Sequence, residues 1–322
     1  MCDFVSPFSK GIQKIWERLT LDYFFPMLQS QIVLFLYLAI GLLMRRKNVI
    51  SEEGIKGFVN FTLVIALPFM IFSSFHLELT RELLINGLLV MLISTIGTSA
   101  MIPIGKFLWK RADAGKRAVL EFGTIMPNAG FAGIPLVYAV FGPQAVFFAS
   151  LFLMPQRTIT WSAALVIFKG SQGRPSLKQI LLIPGNIAVF FGILYMLLPF
   201  SLPTVVNQVI TNVGATAPPL SLIVVGCMLA EVDFRRLLDK TVLLLSGVRL
   251  IIIPLVIMLL LRPLGLEFIV VAVCVVLYGM PVGVNSVLFA KKWDNNYVFA
   301  ARCIFVTSAL SIVTAPLLTL LL

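Results

Sequence analysis

Residues Pro127-Asn128-Ala129-Gly130-Phe131-Ala132-Gly133-Ile134-Pro135 interrupt an apolar segment that runs from about Arg117 to Val140. Two prolines and two glycines remove helical hydrogen bonds and open the backbone. Backbone facing lipid cannot stay unpaired at that depth. Such a break is therefore confined to the protein interior or to the edge of a wet cavity. A second break, Met280-Pro281-Val282-Gly283-Val284-Asn285-Ser286, lies near the other end of the chain. Paired broken helices in corresponding positions point to a binding site of the kind transporters use.

The rest of the chain fits a bilayer. Of its 322 residues, 59% are hydrophobic and only 12% charged, where a soluble domain carries about 25% charged residues. A chain this apolar cannot cover its own surface in water, so it reads as an all-α polytopic membrane protein. The net charge of +11 sits in short loops between apolar runs. It reads as topogenic charge rather than as a nucleic-acid footprint. Cys2, Cys227, Cys274 and Cys303 form no metal-ligand spacing and no readable disulfide framework. His76 is the single histidine, so a histidine metal site has no second ligand. No cofactor is expected, and nucleic acid is not an expected partner. Residues 1–25 form an N-terminal extension with no signal-peptide cleavage pattern.

Charged or Pro/Gly-rich breaks divide residues 26–322 into ten apolar segments, at about 26–44, 57–75, 83–107, 117–140, 144–168, 180–199, 203–230, 241–261, 267–290 and 297–321. Most approach the ~20 residues a bilayer needs. The seventh is long, and Ala217-Pro218-Pro219 predicts a kink or break in it. Gly142-Pro143 and Ser201-Leu202 leave room only for tight hairpins. The halves repeat weakly. Met126-Pro127 and Met280-Pro281 share an offset with Arg81-Glu82-Leu83-Leu84 and Arg235-Arg236-Leu237-Leu238. Pro68 pairs with Pro219 and Pro103 with Pro254 at a nearly equal offset. Five is an odd number, so the second half must enter the membrane inverted. The expectation is a 5+5 inverted repeat in which broken helices 4 and 9 cross.

Seventeen Lys and Arg residues fall in the loops after segments 1, 3, 5, 7 and 9, against five on the other side. The positive-inside rule therefore puts both termini on the non-cytoplasmic side. Trp109 and Trp293 fall where interface anchors are expected.

With this orientation Asn128 lies near mid-membrane, and Pro281 and Gly283 at similar depth. Pro135 suits the first turn of a resumed helix. The unpaired amides of such half-helix ends attract anions, and Asn128, Asn285 and Ser286 add side-chain donors and acceptors. The candidate substrate-binding set is Asn128, Gly130, Gly133, Pro135, Pro127, Pro281, Gly283, Asn285, Ser286, Arg157 and Asn60. Arg157 is the most central charge, about thirteen residues into segment 5. Two readings of it are open: attraction of an anionic substrate, or pairing with the freed carbonyls of a broken helix. Arg249 and Arg302 lie nearer the ends of their segments and are expected to snorkel. Glu121 and Glu267 read as solvated caps. No acidic pair occupies the midplane, which argues against a carboxylate relay for protons or sodium.

The stretch Asn128-Ala129-Gly130-Phe131-Ala132-Gly133-Ile134-Pro135-Leu136 resembles the N-x-G-F-x-G-x-P pattern of the auxin efflux carrier family, whose bacterial branch includes malate and malonate permeases. Ala66-Leu67-Pro68 with Phe72, Gly279-Met280-Pro281 with Asn285, and Thr314-Ala315-Pro316-Leu317 resemble other parts of its pattern. The resemblance covers the chain from about Phe25 onward. It implies a crossover fold like that of sodium/proton antiporters and bile-acid symporters. It also implies a scaffold of spans at about 26–75 and 180–230, and a transport domain of spans at about 83–168 and 241–321. The implied activity is elevator-like carriage of organic anions, with a homodimer through the scaffold. Lys169 to Gln179 forms only a short central loop, which favours a microbial carboxylate permease over a plant auxin carrier.

The expected function is a secondary transmembrane transporter of small organic anions (mono- or dicarboxylates) in the plasma or inner membrane, with the bilayer and the anion as its partners. A sodium-coupled organic-anion symporter is one alternative, with sodium or proton coupling open. An anion channel or a membrane ligand sensor is another. No enzyme is expected, because no H-E-x-x-H motif, aspartate pair or Ser/His arrangement is present.

Overall fold

The computed structural model describes residues 25–78, 80–169, 182, 184–197, 202–230, 239–293 and 295–322. The N-terminal extension through residue 24, the repeat partner Arg235–Leu238, the hairpin at Ser201 and the loop cations Arg174 and Lys178 lie outside the described residues. Among the described residues every extended element of regular structure is a helix. Six helical stretches, Glu52–Ser73, Arg81–Leu108, Pro143–Phe168, Thr204–Cys227, Lys240–Leu264 and Tyr297–Thr319, are long and apolar enough to cross a bilayer. Three shorter apolar helices, Ala129–Phe141, Pro184–Leu197 and Phe268–Tyr278, accompany them.

In chain order the helices are α1 (Phe25–Arg46), α2 (Glu52–Phe61), α3 (Leu67–Ser73), α4 (Arg81–Leu108), α5 (Ala114–Ile125), α6 (Ile134–Phe141), α7 (Pro143–Lys169), α8 (Pro184–Leu197), α9 (Thr204–Gly214), α10 (Ala217–Leu229), α11 (Lys240–Gly247), α12 (Ile253–Leu261), α13 (Phe268–Tyr278), α14 (Asn285–Lys292) and α15 (Tyr297–Thr319). Hydroxyl and carboxylate caps start several of them. Ser51, Thr80 and Asp113 accept from Gly54, Leu83 and Gly115, and Asp239 and Asn296 accept from Thr241 and Phe299. The expected break in the seventh segment falls between α9 and α10, just before Pro218-Pro219. Gly142 makes the α6–α7 hairpin with a left-handed φ of 77°.

Three helices contain one wide π-turn each, at Thr62–Ala66, Ala129–Gly133 and Val248–Ile252. In each case a proline sits two residues beyond the π-turn: Pro68, Pro135 and Pro254. A proline ring clashes with the carbonyl four residues back. Widening the turn relieves that clash, and the residue before the proline then bonds five residues back: Leu67 to Thr62, Ile134 to Ala129 and Ile253 to Val248. Such bulges cluster at functional sites. They also bring the helix back sooner than the glycines suggest. The first break is non-helical only at 126–128, because Gly130 and Gly133 lie inside the π-turn.

The helices pack in two groups that also touch each other, α1 lying against α6 and α15. One contains α1 to α3 and α8 to α10, with α1 against α10 and α3 against both α8 and α9. The other contains α4 to α7 and α11 to α15. The α1–α10 contact is backbone on backbone. A Cβ on Gly41 would lie 2.0 Å from the Ile223 carbonyl oxygen, and one on Gly226 would lie 2.0 Å from that of Leu38. In the second group α13 is buried along its length from Val270 to Tyr278, as suits a helix that is apolar all round. The Tyr278 hydroxyl donates toward the carbonyls of Ile93 and Ser94 on α4. Gly97 leaves room for it, since a Cβ there would lie 2.2 Å from that oxygen.

Two expectations change. Trp109 is buried rather than interfacial, and its Nε1 donates to Thr124 Oγ1 at 2.8 Å. Glu121 is a buried side chain, not a solvated cap. Arg117 one turn earlier donates its Nε to Oε1 at 2.7 Å, which gives the buried carboxylate the partner it needs.

Candidate functional site

The two breaks meet. The Asn128 amide donates to the Pro281 carbonyl at 2.7 Å, and the Gly283 amide donates to the Met126 carbonyl at 3.0 Å. They form a single antiparallel bridge between Pro127 and Val282. Backbone groups freed by the prolines thus satisfy one another, which is the requirement inside a membrane protein. Glycine is needed at 283 because a Cβ there would lie 2.9 Å from Met126 Cγ and 3.3 Å from its carbonyl oxygen. Thr307 on α15 completes the joint by accepting from the Val282 amide at 3.1 Å.

Four half-helix ends surround this bridge. The carboxyl ends of α5 and α13 hold unpaired carbonyls with partial negative charge. Arg249, inside the third π-turn, covers them. Its Nη1 donates to the Thr124 carbonyl at 2.7 Å and its Nε to the Met280 carbonyl at 3.1 Å. Arg249 is fully buried and does not snorkel. The π-turn and Pro254 aim it inward at the crossover. Its depth along the sequence gave no hint of that direction.

The amino ends of Ala129–Phe141 and of α14 lie on the other side of the bridge, beside a cavity of about 280 Å³. Met126, Pro127, Asn128, Gly130 and Phe131 line it from the first break, and Val284 and Asn285 from the second. Leu153, Gln156, Arg157 and Thr160 of α7 form another wall. Leu63, inside the first π-turn, Leu67 just after it, and Pro184 and Gly185 of α8 close it.

Asn128 is 4% exposed. Its backbone N–H and C=O are engaged, the latter by both the Ala132 and Gly133 amides. Gln156 is 1% exposed, with its Nε2 lacking any partner among the described residues. The Thr160 hydroxyl donates back to the Gln156 carbonyl at 2.8 Å. The Arg157 guanidinium makes no hydrogen bond or ion pair with any described residue, while the backbone carbonyl of Arg157 accepts from Thr160 Oγ1 at 3.2 Å. The guanidinium fits against the first turn of α8 because residue 185 is glycine: a Cβ there would lie 2.3 Å from Nη1. The two readings of Arg157 are thereby separated. Arg249 takes the freed carbonyls, and Arg157 faces the cavity.

Of the residues singled out from sequence, Pro127, Asn128, Gly130, Asn285 and Arg157 share this cavity. Pro281 lies behind it and lines, with the opposite side of Asn128, a gap of about 40 Å³ toward Leu34 and Leu38 on α1. Gly133 is buried against Leu277 and Met280, where a Cβ would lie 2.6 Å from Leu277 Cδ2. Pro135 is buried in α6 and Gly283 in the bridge. Ser286 is buried and bonds its hydroxyl to the Gly283 carbonyl at 2.8 Å, so it braces the second break. Asn60 is exposed on α2 and does not line the cavity. Gln156, Gly185 and Arg249 are the contributors that sequence reading missed.

Two further features lie elsewhere. Glu267 at the start of α13 faces Glu82, and that neighbouring carboxyl raises its pKa, with Asn86 opposing the shift. His76 Nδ1 donates to the Ser73 carbonyl at 3.0 Å in the tautomer that satisfies both atoms, and its ring packs between Phe72 and Tyr195.

The sequence profile described as "Membrane transport protein" matches residues 26–180 and again 173–319. An uncharacterized transporter of Methanothermobacter thermautotrophicus is 27% identical over 291 residues, which is 86% of this chain and 92% of that protein. With its two broken helices joined around a buried arginine, and with profile matches that run in succession along nearly the whole sequence, the chain belongs to the membrane transport protein family, that of the auxin efflux carriers.

Proposed function

We propose that this multi-pass membrane transporter is a secondary carrier of small organic anions, which bind in the crossover cavity. The observation that carries this reading is Arg157, a guanidinium in a protected cavity with no partner among the described residues. A charge so placed needs a counter-charge or water. The amino ends of the two resumed helices add partial positive charge, and Asn128, Gln156 and Asn285 supply neutral donors. One cation opposite apolar walls at Leu63, Leu67, Phe131 and Leu153 suits a carboxylate with an apolar body better than a compact dianion.

The same reading takes ten spans in two inverted fives. It is supported by the successive family matches and by the crossing of α5–α6 with α13–α14. The packing groups suggest a scaffold of spans at about 26–75 and 180–230 against a moving domain of spans at about 83–168 and 241–321. Alternating access then comes from one group moving against the other, elevator-fashion. The basic loops support a reading with both termini on the non-cytoplasmic side of the plasma or inner membrane, and a homodimer through the scaffold fits this arrangement.

The test is flux in proteoliposomes with lactate, malate and phenyllactate as probes. Saturable uptake is expected for at least one probe. Asn128→Ala and Arg157→Gln are expected to weaken its half-saturation by about 10- to 100-fold, the range for one charge-assisted hydrogen bond. Folded variants with unchanged kinetics would remove these residues from the site.

A further inference from the structure

We infer that this protein is an anion exchanger, one that re-crosses the membrane readily only with an anion aboard. The inference rests on the reading of the crossover cavity as an anion site, and it concerns what happens when that site is empty.

Among the described residues Arg157 is the only charged side chain lining the cavity, and none of them brings a carboxylate to it. Its polar neighbours Asn128, Gln156, Thr160 and Asn285 are neutral. The carbonyl ends that might have balanced the guanidinium are occupied by Arg249. The remaining half-helix ends are amino ends, which add to the positive charge rather than cancel it. Gln156 Nε2, buried and without a partner among the described residues, is a further donor that lacks an acceptor there. Every unsatisfied group at this site therefore asks for the same thing, an anionic acceptor.

Alternating access requires the cavity to close and lose its water. With an anion bound, closure buries a hydrogen-bonded ion pair. With the site empty, closure buries a lone guanidinium and an unpaired amide. The insertion cost of one arginine at mid-membrane, converted to a rate, makes the empty return on the order of 100-fold slower than the loaded one. Such a carrier exchanges internal for external anion much faster than it releases anion into an anion-free medium. Exchange of two anions of equal charge also moves no net charge, so its rate is independent of membrane potential.

The experiment uses the full-length protein in proteoliposomes preloaded with radiolabelled phenyllactate, and separately with malate, in a chloride-free zwitterionic buffer. Efflux is timed into buffer alone and into buffer containing the unlabelled anion. Efflux at least about 10-fold faster with the external anion is expected, together with a smaller ratio for Arg157→Gln, whose empty site carries no guanidinium. Equal efflux in the two media, with uptake still saturable, would overturn exchange while leaving the anion site standing. A wild-type ratio retained by Arg157→Gln would overturn the charge argument. No saturable flux of any probe in either medium would remove the underlying reading and this inference with it.

Discussion

Arg157 and Arg249 both lie at the helix crossover, yet among the described residues only the Arg249 guanidinium has hydrogen-bond partners. It donates to the Thr124 and Met280 carbonyls, while Arg157 faces the cavity. Their replacement should therefore have opposite signatures. Arg249→Met leaves two buried carbonyls unpaired and is expected to destabilise the protein by about 2–4 kcal/mol. Arg157→Met removes an uncompensated charge and is expected to leave stability unchanged or slightly raised. Thermal unfolding in detergent measures both. The reverse order would mean that the two roles are exchanged.

Gly185 keeps the space that the Arg157 guanidinium occupies. Gly185→Ala is expected to push the guanidinium aside and weaken phenyllactate binding about 10-fold while changing stability by less than about 1 kcal/mol. Gly247→Ala is the matched control, because a Cβ there meets nothing within 4 Å and the residue lies outside the cavity wall. Titration calorimetry on the two purified variants separates them. Equal effects would deny Gly185 its special place.

The pH dependence of stability has two opposed contributions outside the spans. Lys116 hydrogen-bonds Asp239, helped by the Thr241 amide and hydroxyl, and this lowers the Asp239 carboxyl from 3.8 to about 2. A depressed carboxyl stabilises the fold above its unfolded pKa, and the effect is lost as pH falls from about 4 through about 2. Asp239→Asn should thus melt below wild type at neutral pH, and the gap should close in acid. Glu267 has the other sign. Glu82 raises its pKa, so its contribution is present in acid and lost as pH rises. Glu82→Gln should therefore melt above wild type at neutral pH and match it in acid. Melting curves across that range decide both.

At the α1–α10 crossing the tolerance is smaller still. Gly41→Ala places a methyl group 2.0 Å from a carbonyl oxygen on the facing helix. The helices must separate, at a cost of about 1–3 kcal/mol or more. Gly247→Ala, whose Cβ meets nothing within 4 Å, should be nearly neutral in the same unfolding assay.

Much of this was legible in the chain because prolines and glycines announce broken helices and because apolar run length announces spans. The meeting of Pro127 with Val282, and the break before Pro218, follow from such local signals. What stayed hidden is direction around a helix axis. Arg249 and Arg157 both read as charges at some depth in an apolar run. Arg249 meets carbonyls because a π-turn and Pro254 turn it inward, whereas nothing local in α7 marks Arg157 as facing open space. Asn60 shows the same limit, since its depth suited a site but α2 turns it outward. Gly185 was missed for a related reason: a glycine that makes room for a side chain 28 positions earlier carries no local mark of doing so.

Any machine that carries cargo through a barrier needs a part that holds still. Where α1 and α10 cross, main chain is locked against main chain at Gly41 and Gly226, with the Cys227 thiol donating to the Gly41 carbonyl at 3.2 Å. Spin labels on those two helices should report one constant separation at every stage of turnover, and so provide a ruler against which displacement of Asn128 and its neighbours can be read.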